Sequence, residues 1–182
     1  MRRSPQDAVL ANADVIFSPD EVAVGFDNLA TDLQPLIEAS DCILLGILNG
    51  GMFALVHLAE RLAGDFRVDY CHATRYEGGM EGQSLTWLEQ PHVDLAGMTV
   101  IVVDDIFDEG TTLRAVADYC SGQGAARVYT AVLIVKDRAR PAATPLPDFT
   151  AGLQVPDRYV FGCGMDMHGR WRHLRGVYAL EG

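Results

Sequence analysis

Lysine is nearly absent from this chain: Lys136 is the sole one, and arginine fills the other basic positions among 14 Lys and Arg residues. Cations of either kind are outnumbered by 25 acidic residues, for a formal net charge of −11. That balance excludes a nonspecific binder of DNA or RNA, which needs a basic surface to displace counterions from phosphates. No apolar run approaches the ~20 residues of a membrane-spanning helix, and no secretory leader is expected. A soluble, cytoplasmic protein without nucleic-acid or membrane partners is expected. Cys42, Cys71, Cys120 and Cys163 form no CxxC pair, and three lie in or beside apolar runs. That pattern argues against a zinc site or a disulfide framework and suits small buried hydrophobes. Repeats, linkers and low-complexity tracts are also missing, so 182 residues predict a single domain over 1–182.

What is present concentrates in one run from Met98 to Leu113. The apolar stretch Val100 to Val103 ends in Asp104 and Asp105, with Asp108 close behind. Gly110-Thr111-Thr112 then opens a segment with helical spacing at Leu113, Val116, Ala117 and Cys120. The first part predicts a strand, Thr99 to Asp104, buried on both faces of a parallel sheet. Two acids at its carboxyl end sit where open α/β sheets bind ligands. The Gly-Thr-Thr turn offers backbone N–H groups and hydroxyls at a helix N-terminus, which suits a phosphate. Paired carboxylates need something between like charges, and two sugar hydroxyls or Mg²⁺ would serve. The bland reading is a buried strand with an acidic helix cap. Neither Asp104 nor Asp105 is placed to cap a helix starting near Thr111.

The rest of the chain alternates strand and helix. Ser18-Pro19-Asp20-Glu21 is a helix start, and the helix runs to about Ala39 with Val22, Phe26, Leu29, Leu33 and Ile37 on one face. Strands are predicted at Cys42 to Leu48, Arg67 to Ala73 and Val128 to Lys136, with helices over Met52 to Leu62 and from the Thr111 region to Gln123. Met1 to Ala13 reads as a polar start with a short helix. Tyr76 to Gly82 has three glycines and no periodicity, which predicts a loop, with a returning strand near Ser84 to Leu88. Beyond Lys136, prolines 141, 145, 147 and 156 forbid long helices, and short strands are expected at Tyr159 to Phe161 and Val177 to Ala179. The fold class is therefore α/β, a doubly wound parallel sheet with a small C-terminal cap.

Asp104-Asp105, four intervening residues, and Gly110-Thr111-Thr112 resemble the 5-phosphoribosyl-1-diphosphate motif of the type I phosphoribosyltransferases. Three further segments fit the same family. Leu48-Asn49-Gly50-Gly51 is similar to the pyrophosphate loop of its hypoxanthine–guanine branch, with Asn49 where lysine is common. His72-Ala73-Thr74-Arg75-Tyr76 resembles the mobile loop that closes the active site. Val155 to Asp166 is similar to the purine-binding hood, expected over about 137–182. Together these motifs look like those of a bacterial subgroup of hypoxanthine–guanine phosphoribosyltransferases, and the resemblance covers roughly Cys42 to Tyr178.

The resemblance implies Mg²⁺-dependent purine salvage: hypoxanthine or guanine plus 5-phosphoribosyl-1-diphosphate gives IMP or GMP plus pyrophosphate. It implies that Asp104 and Asp105 hold the ribose hydroxyls, directly or through Mg²⁺, and that Asp108 is the general acid–base at the purine N7. Glu109, Gly110, Thr111 and Thr112 would bind the 5′-phosphate, and Asn49 and Gly50 the pyrophosphate. Lys136 would donate to the purine 6-oxo group, Tyr159 would stack on the base, and the Val160 carbonyl would accept from it. Asp166 would hold a second magnesium and Arg172 would contact pyrophosphate. Glu109 stands where Thr or Ser is frequent and is expected to face solvent. A homodimer or homotetramer is the usual family assembly. The alternatives are a xanthine–guanine enzyme and a catalytically weak RNA-binding regulator with the same fold, the latter disfavoured by the −11 charge. A phosphatase of the aspartyl-phosphate type would need Asp-x-Asp on the first strand, which Leu44 to Asn49 lacks.

Overall fold

Ser18 starts the first long helix by a reciprocal cap. Its hydroxyl accepts from the Glu21 amide at 3.3 Å, and the Glu21 carboxylate accepts from the Ser18 amide at 2.8 Å. Pro19 at the first helical position costs no hydrogen bond there. Helix α1 then runs Pro19–Ala39, with the predicted stripe Val22, Phe26, Leu29, Leu33 and Ile37 buried. The computed structural model describes residues 10–75, 85–141 and 144–180.

Around α1 the order is β1 (Ala13–Phe17), α1, β2 (Cys42–Ile47), α2 (Gly51–Ala59), β3 (Phe66–Arg75), β4 (Leu85–Glu89), β5 (Thr99–Phe107), α3 (Thr111–Gly122), β6 (Arg127–Asp137), β7 (Phe149–Pro156), β8 (Val160–Phe161) and β9 (Val177–Leu180). The main sheet has the order β4-β3-β2-β5-β6-β7. All of its pairs are parallel except β3 with β4. Helices α1 and α2 pack with Leu44, Ile101 and Val103 on one face of the sheet. Helix α3 packs with Ile43, Leu45, Val100 and Val102 on the other. Burial of β2 at all six positions follows from this double cover. The expected doubly wound α/β fold is what the chain adopts.

Four features depart from the expectations. β5 does not stop at Asp104: Ile106 and Phe107 continue the ladder opposite Ile134 and Val135, so both acids lie inside the strand. β7 was not anticipated. It joins the sheet parallel to β6, but its register shifts between Val132 and Ile134, and Gly152 sits at φ 76°, which breaks the alternation a strand should show. β1 was also unexpected, and it pairs antiparallel with β9. The small second sheet, β1-β9-β8, therefore draws a strand from ahead of α1 as well as from the C-terminal region. Helix α2 is shorter than predicted, ending at Ala59. All four cysteines are buried and free of disulfides. Burial pushes the thiols of Cys71, Cys120 and Cys163 up to about 12, where they behave as apolar groups.

Candidate active site

Asp105 lies inside β5 just beyond the carboxyl end of β2, and the backbone around it leaves little room for side chains. Gly50 caps α2 in ordinary helical geometry, yet a Cβ there would lie 1.9 Å from Asp105 Oδ2. Gly51 is pressed against the Val103 carbonyl, which a Cβ would meet at 2.7 Å. On the far side Gly164, at φ 103°, would put a Cβ 2.4 Å from the Gly50 carbonyl and 3.1 Å from Asp105 Cβ. The Asn49-Gly50-Gly51 turn and the 162–164 segment thus close directly on Asp105. Asp104 turns back on its own strand, its Oδ1 accepting the Asp105 amide at 2.9 Å. Burial and the neighbouring Asp105 charge hold the Asp104 carboxyl well above the usual carboxylate range. Burial also raises Asp105, although hydrogen bonds and the Arg172 charge oppose it. No ion pair among the described residues reaches either acid.

Beyond the strand the chain turns through Gly110, whose φ of 77° is a left-handed conformation favouring glycine. A Cβ there would also strike the Phe107 ring at 2.3 Å. Thr111 and Thr112 follow as the first residues of α3, and no side chain caps that helix. The arrangement is an anion cradle: first-turn amides, two hydroxyls and the positive end of a helix dipole. Glu109 is exposed.

Asp108 lies in a different environment. Its Oδ1 is 2.6 Å from Arg138 Nη1 and its Oδ2 is 3.2 Å from Lys136 Nζ. Lys136 also lies 3.5 Å from Asp157 Oδ1. Arg140 donates from Nε to the Asp108 carbonyl at 2.6 Å and from Nη2 to the Phe107 carbonyl at 3.0 Å and to the Lys136 carbonyl. Its guanidinium sits 4.7 Å from the Phe107 ring centroid. Arg140 thereby ties the end of β5 to the end of β6. Partial burial pushes the Asp108 carboxyl up, but the donors Arg138 and Lys136 outweigh it and leave it below its usual value.

The opposite wall comes from the small sheet. Tyr159 is 57% exposed, and its hydroxyl donates to the Asp166 carbonyl at 3.0 Å, leaving the ring accessible. Val160 is buried opposite Ala179. Asp166 receives Arg172 Nη2 on Oδ1 at 2.7 Å and the Gly169 amide on Oδ2 at 2.7 Å. Arg172 Nη1 donates to the Gly164 carbonyl at 2.6 Å. Between these walls lies a cleft of about 320 Å³, lined by Gly50, Asp105, Asp108, Lys136, Tyr159, Val160, Asp166 and Arg172 among others. Eight of the residues singled out in the sequence therefore meet in one place. Asp104, Asn49, Glu109, Gly110, Thr111 and Thr112 do not line that cleft; they stand behind or beside it. The expected closing loop, Tyr76 to Gly82, lies outside the described residues, although its flanks pair antiparallel as β3 and β4.

Residues 19–167 match the family described as the phosphoribosyl transferase domain. The chain belongs to this family. It is 31% identical over 136 residues to a hypoxanthine phosphoribosyltransferase of Escherichia coli, covering 74% of this chain and 75% of that one. It is 26% identical over 167 residues to a hypoxanthine-guanine-xanthine phosphoribosyltransferase of Tritrichomonas foetus, covering 92% of this chain and 91% of the other. A hypoxanthine phosphoribosyltransferase structure from Staphylococcus aureus superposes with a TM-score of 0.88 at 19% identity, over 98% of this chain and 97% of that one. That last likeness speaks for the fold alone. The chain is thus a phosphoribosyltransferase by family, and an enzyme.

Two features of this phosphoribosyltransferase escaped the sequence reading. Arg138 and Arg140 look like a charge run bound for solvent, yet both turn onto Asp108. Gly164 gave no signal of its own; only the density of glycine around Cys163 hinted at a tight approach. As for a metal, no group of three or more His, Cys, Asp or Glu among the described residues could hold a cation by itself. Adjacent carboxylates without a counter-cation are nevertheless the donor set that Mg²⁺ accepts. That ion commonly binds through one or two carboxylates and completes its shell with water and phosphate oxygens. Asp104 and Asp105 fit that pattern. Asp166 fits it only if Arg172 or the Gly169 amide gives way.

Proposed function

We propose that this phosphoribosyltransferase salvages 6-oxopurines: hypoxanthine or guanine plus 5-phosphoribosyl-1-diphosphate gives IMP or GMP plus pyrophosphate. The observation that carries the reading is the chain's one lysine, placed in a cleft beside Asp108 with the exposed Tyr159 ring on the opposite wall. An ammonium can only donate, so it accepts a 6-oxo purine and rejects the 6-amino group of adenine. The names of the relatives agree.

The ring of Tyr159 stacks on the base, and the Val160 carbonyl accepts from its edge. The α3 amides with Gly110, Thr111 and Thr112 hold the 5′-phosphate, joined by Glu109 through its backbone. Asp104 and Asp105 hold the ribose hydroxyls or a magnesium ion. Asn49 and Gly50 offer backbone amides to pyrophosphate, and Arg172 supplies charge there. Mg²⁺, when bound, neutralises the departing pyrophosphate as Lewis acid and template. Asp108 takes the N7 proton as N9 attacks the anomeric carbon, and returns it in the reverse direction. Asp166 serves as the ligand for a second magnesium. The segment from about 137 to 182 forms most of a purine-binding hood on a single domain.

We place the enzyme in the cytoplasm, a reading supported by four free, buried thiols. Among the described residues no helix is long and apolar enough to cross a membrane. A homodimer or homotetramer suits the exposed Met52 and Val56 on α2 and Val68 and Tyr70 on β3, which a second copy could cover. The T. foetus relative carries xanthine in its name, so xanthine is the second reading for the base.

Initial rates with Mg²⁺, 5-phosphoribosyl-1-diphosphate and each of hypoxanthine, guanine, xanthine, adenine and uracil test the reading. Turnover of 6-oxopurines with adenine and uracil inert is the expected result. Turnover of adenine, or of no base at all despite tight ribosyl-diphosphate binding, overturns it.

A further inference from the structure

We propose that Arg138 is a positioning residue for proton transfer: it fixes one oxygen of Asp108 so that the other, once Lys136 turns to the base, faces the purine. This deepens the 6-oxopurine reading and rests on it. Asp108 has two oxygens and two side-chain cations, one on each: Arg138 on Oδ1 at 2.6 Å and Lys136 on Oδ2 at 3.2 Å. The two cations are not equivalent. Lys136 has a second anion, Asp157 at 3.5 Å, and keeps it if it leaves Asp108. Arg138 has no other ion pair among the described residues. Its contact is also the shorter, and a charge-assisted bond of that length is the stronger of the two. Arg140 cannot substitute for either cation, because its guanidinium is spent on the carbonyls of Asp108, Phe107 and Lys136.

An acid held by two cations is a poor proton acceptor, because each cation favours the ionised form. The geometry solves this by exchange. When Lys136 donates to the 6-oxo group, Oδ2 is vacated and remains correctly aimed, since Oδ1 has not moved. The N9–C1′ bond then forms as the C1′–oxygen bond to diphosphate breaks, and the N7 proton passes to Oδ2. The charged groups around Asp108 are Glu109 beside it, Lys136 on β6, Arg138 and Arg140 just beyond that strand, and Asp157 after β7. Arg138 is the one among them that touches the carboxylate with no second ion pair among the described residues, the Asp157 and Glu109 charges acting on it from further away. With 30% of its side chain exposed, it can be replaced without opening the core.

The test compares wild type with Arg138→Gln and Arg138→Lys in pH–rate profiles with hypoxanthine and 5-phosphoribosyl-1-diphosphate. Arg138→Gln should lower kcat about tenfold or more. It should leave KM for the ribosyl diphosphate within about twofold and move the acid limb of the kcat profile upward. Arg138→Lys should restore part of both. An unchanged kcat and acid limb in Arg138→Gln overturns the proposal, as does a loss confined to KM. Circular dichroism and Tm establish that each variant is folded. If wild type turns over no 6-oxopurine, the functional reading falls separately. A ¹³C carboxyl titration of Asp108, which needs no turnover, then decides: an upward shift in Arg138→Gln supports the anchor, and no shift overturns it.

Discussion

Asp105 and Asp108 stand three residues apart on one strand and its following turn, yet they occupy opposite electrostatic conditions. Asp105 is almost buried, packed against Gly50 and Gly164, beside another acid and without an ion pair among the described residues. Asp108 is half-exposed and meets two cations directly, with a third on its carbonyl. Burial therefore wins at Asp105 and raises its carboxyl, whereas paired charge wins at Asp108 and lowers it. The difference separates a site that is electrostatically incomplete from one that is complete. On the function proposed above, a magnesium ion or the ribose hydroxyls would complete the first. The second carries its counter-charge on Lys136 and Arg138.

The sharpest way to test that contrast is to remove the charge at each end. Asp108→Asn should lower kcat by about 10²- to 10⁴-fold, the usual reach of a lost general acid–base, with KM for the ribosyl diphosphate within a few-fold. Equal losses in kcat and in ribosyl-diphosphate affinity would move Asp108 from chemistry to binding. Next in size, Arg140→Ala strips donors from three carbonyls at the ends of β5 and β6. Each buried acceptor left unpaired costs about 1–3 kcal/mol. Thermal unfolding should show Tm falling by several degrees, and an unchanged Tm would mean that water replaces the guanidinium at no cost.

A smaller effect of opposite sign is expected at Asp105. Its folded carboxyl lies above the unfolded value, so the folded state binds the extra proton and stability falls as pH rises through the interval between the two. Asp105→Asn without metal should therefore raise stability at pH 7 by about 1 kcal/mol. It should also flatten the loss seen in wild type between about pH 4 and 7 and abolish any Mg²⁺-dependent rise in Tm. Destabilisation at pH 7 would show that the carboxylate is already compensated. The smallest change belongs to Asp108, whose lowered value makes a contribution that is present above the usual Asp value of 3.8 and lost as pH falls through the folded value. Wild type should lose stability in that acid range more steeply than Asp108→Asn. Identical acid melting curves would sink the ion-pair account.

The sequence made the first half of this contrast readable and hid the second. The apolar run into Asp104-Asp105 and the Gly-Thr-Thr turn form one contiguous signal, because strand, turn and helix N-terminus follow each other along the chain. The cap at Ser18 and the α1 stripe were readable for the same reason. β7 was not: its bulge at Gly152 and flanking prolines erase the period of two that marks a strand. β1 has only five residues, and although Val15, Ile16 and Phe17 favour a strand, so short a run does not stand out; its pairing comes from β9, far along the chain. Arg138 and Arg140 went unremarked, because two arginines flanking an alanine look the same in solvent as they do folded back onto an acid. Gly164 is required by contacts with Gly50 and Asp105, which no local pattern encodes.

The pairing of β1 with β9 also bears on how the protein is made. On the ribosome β1 emerges long before its partner, whereas every strand of the main sheet is synthesised before β9. The core sheet can assemble while the small sheet waits for its middle strand. Completion of the Tyr159–Val160 wall then follows that of the main sheet, and chains interrupted before Val177 would carry the Gly110-Thr111-Thr112 turn while β8 still lacked its partner.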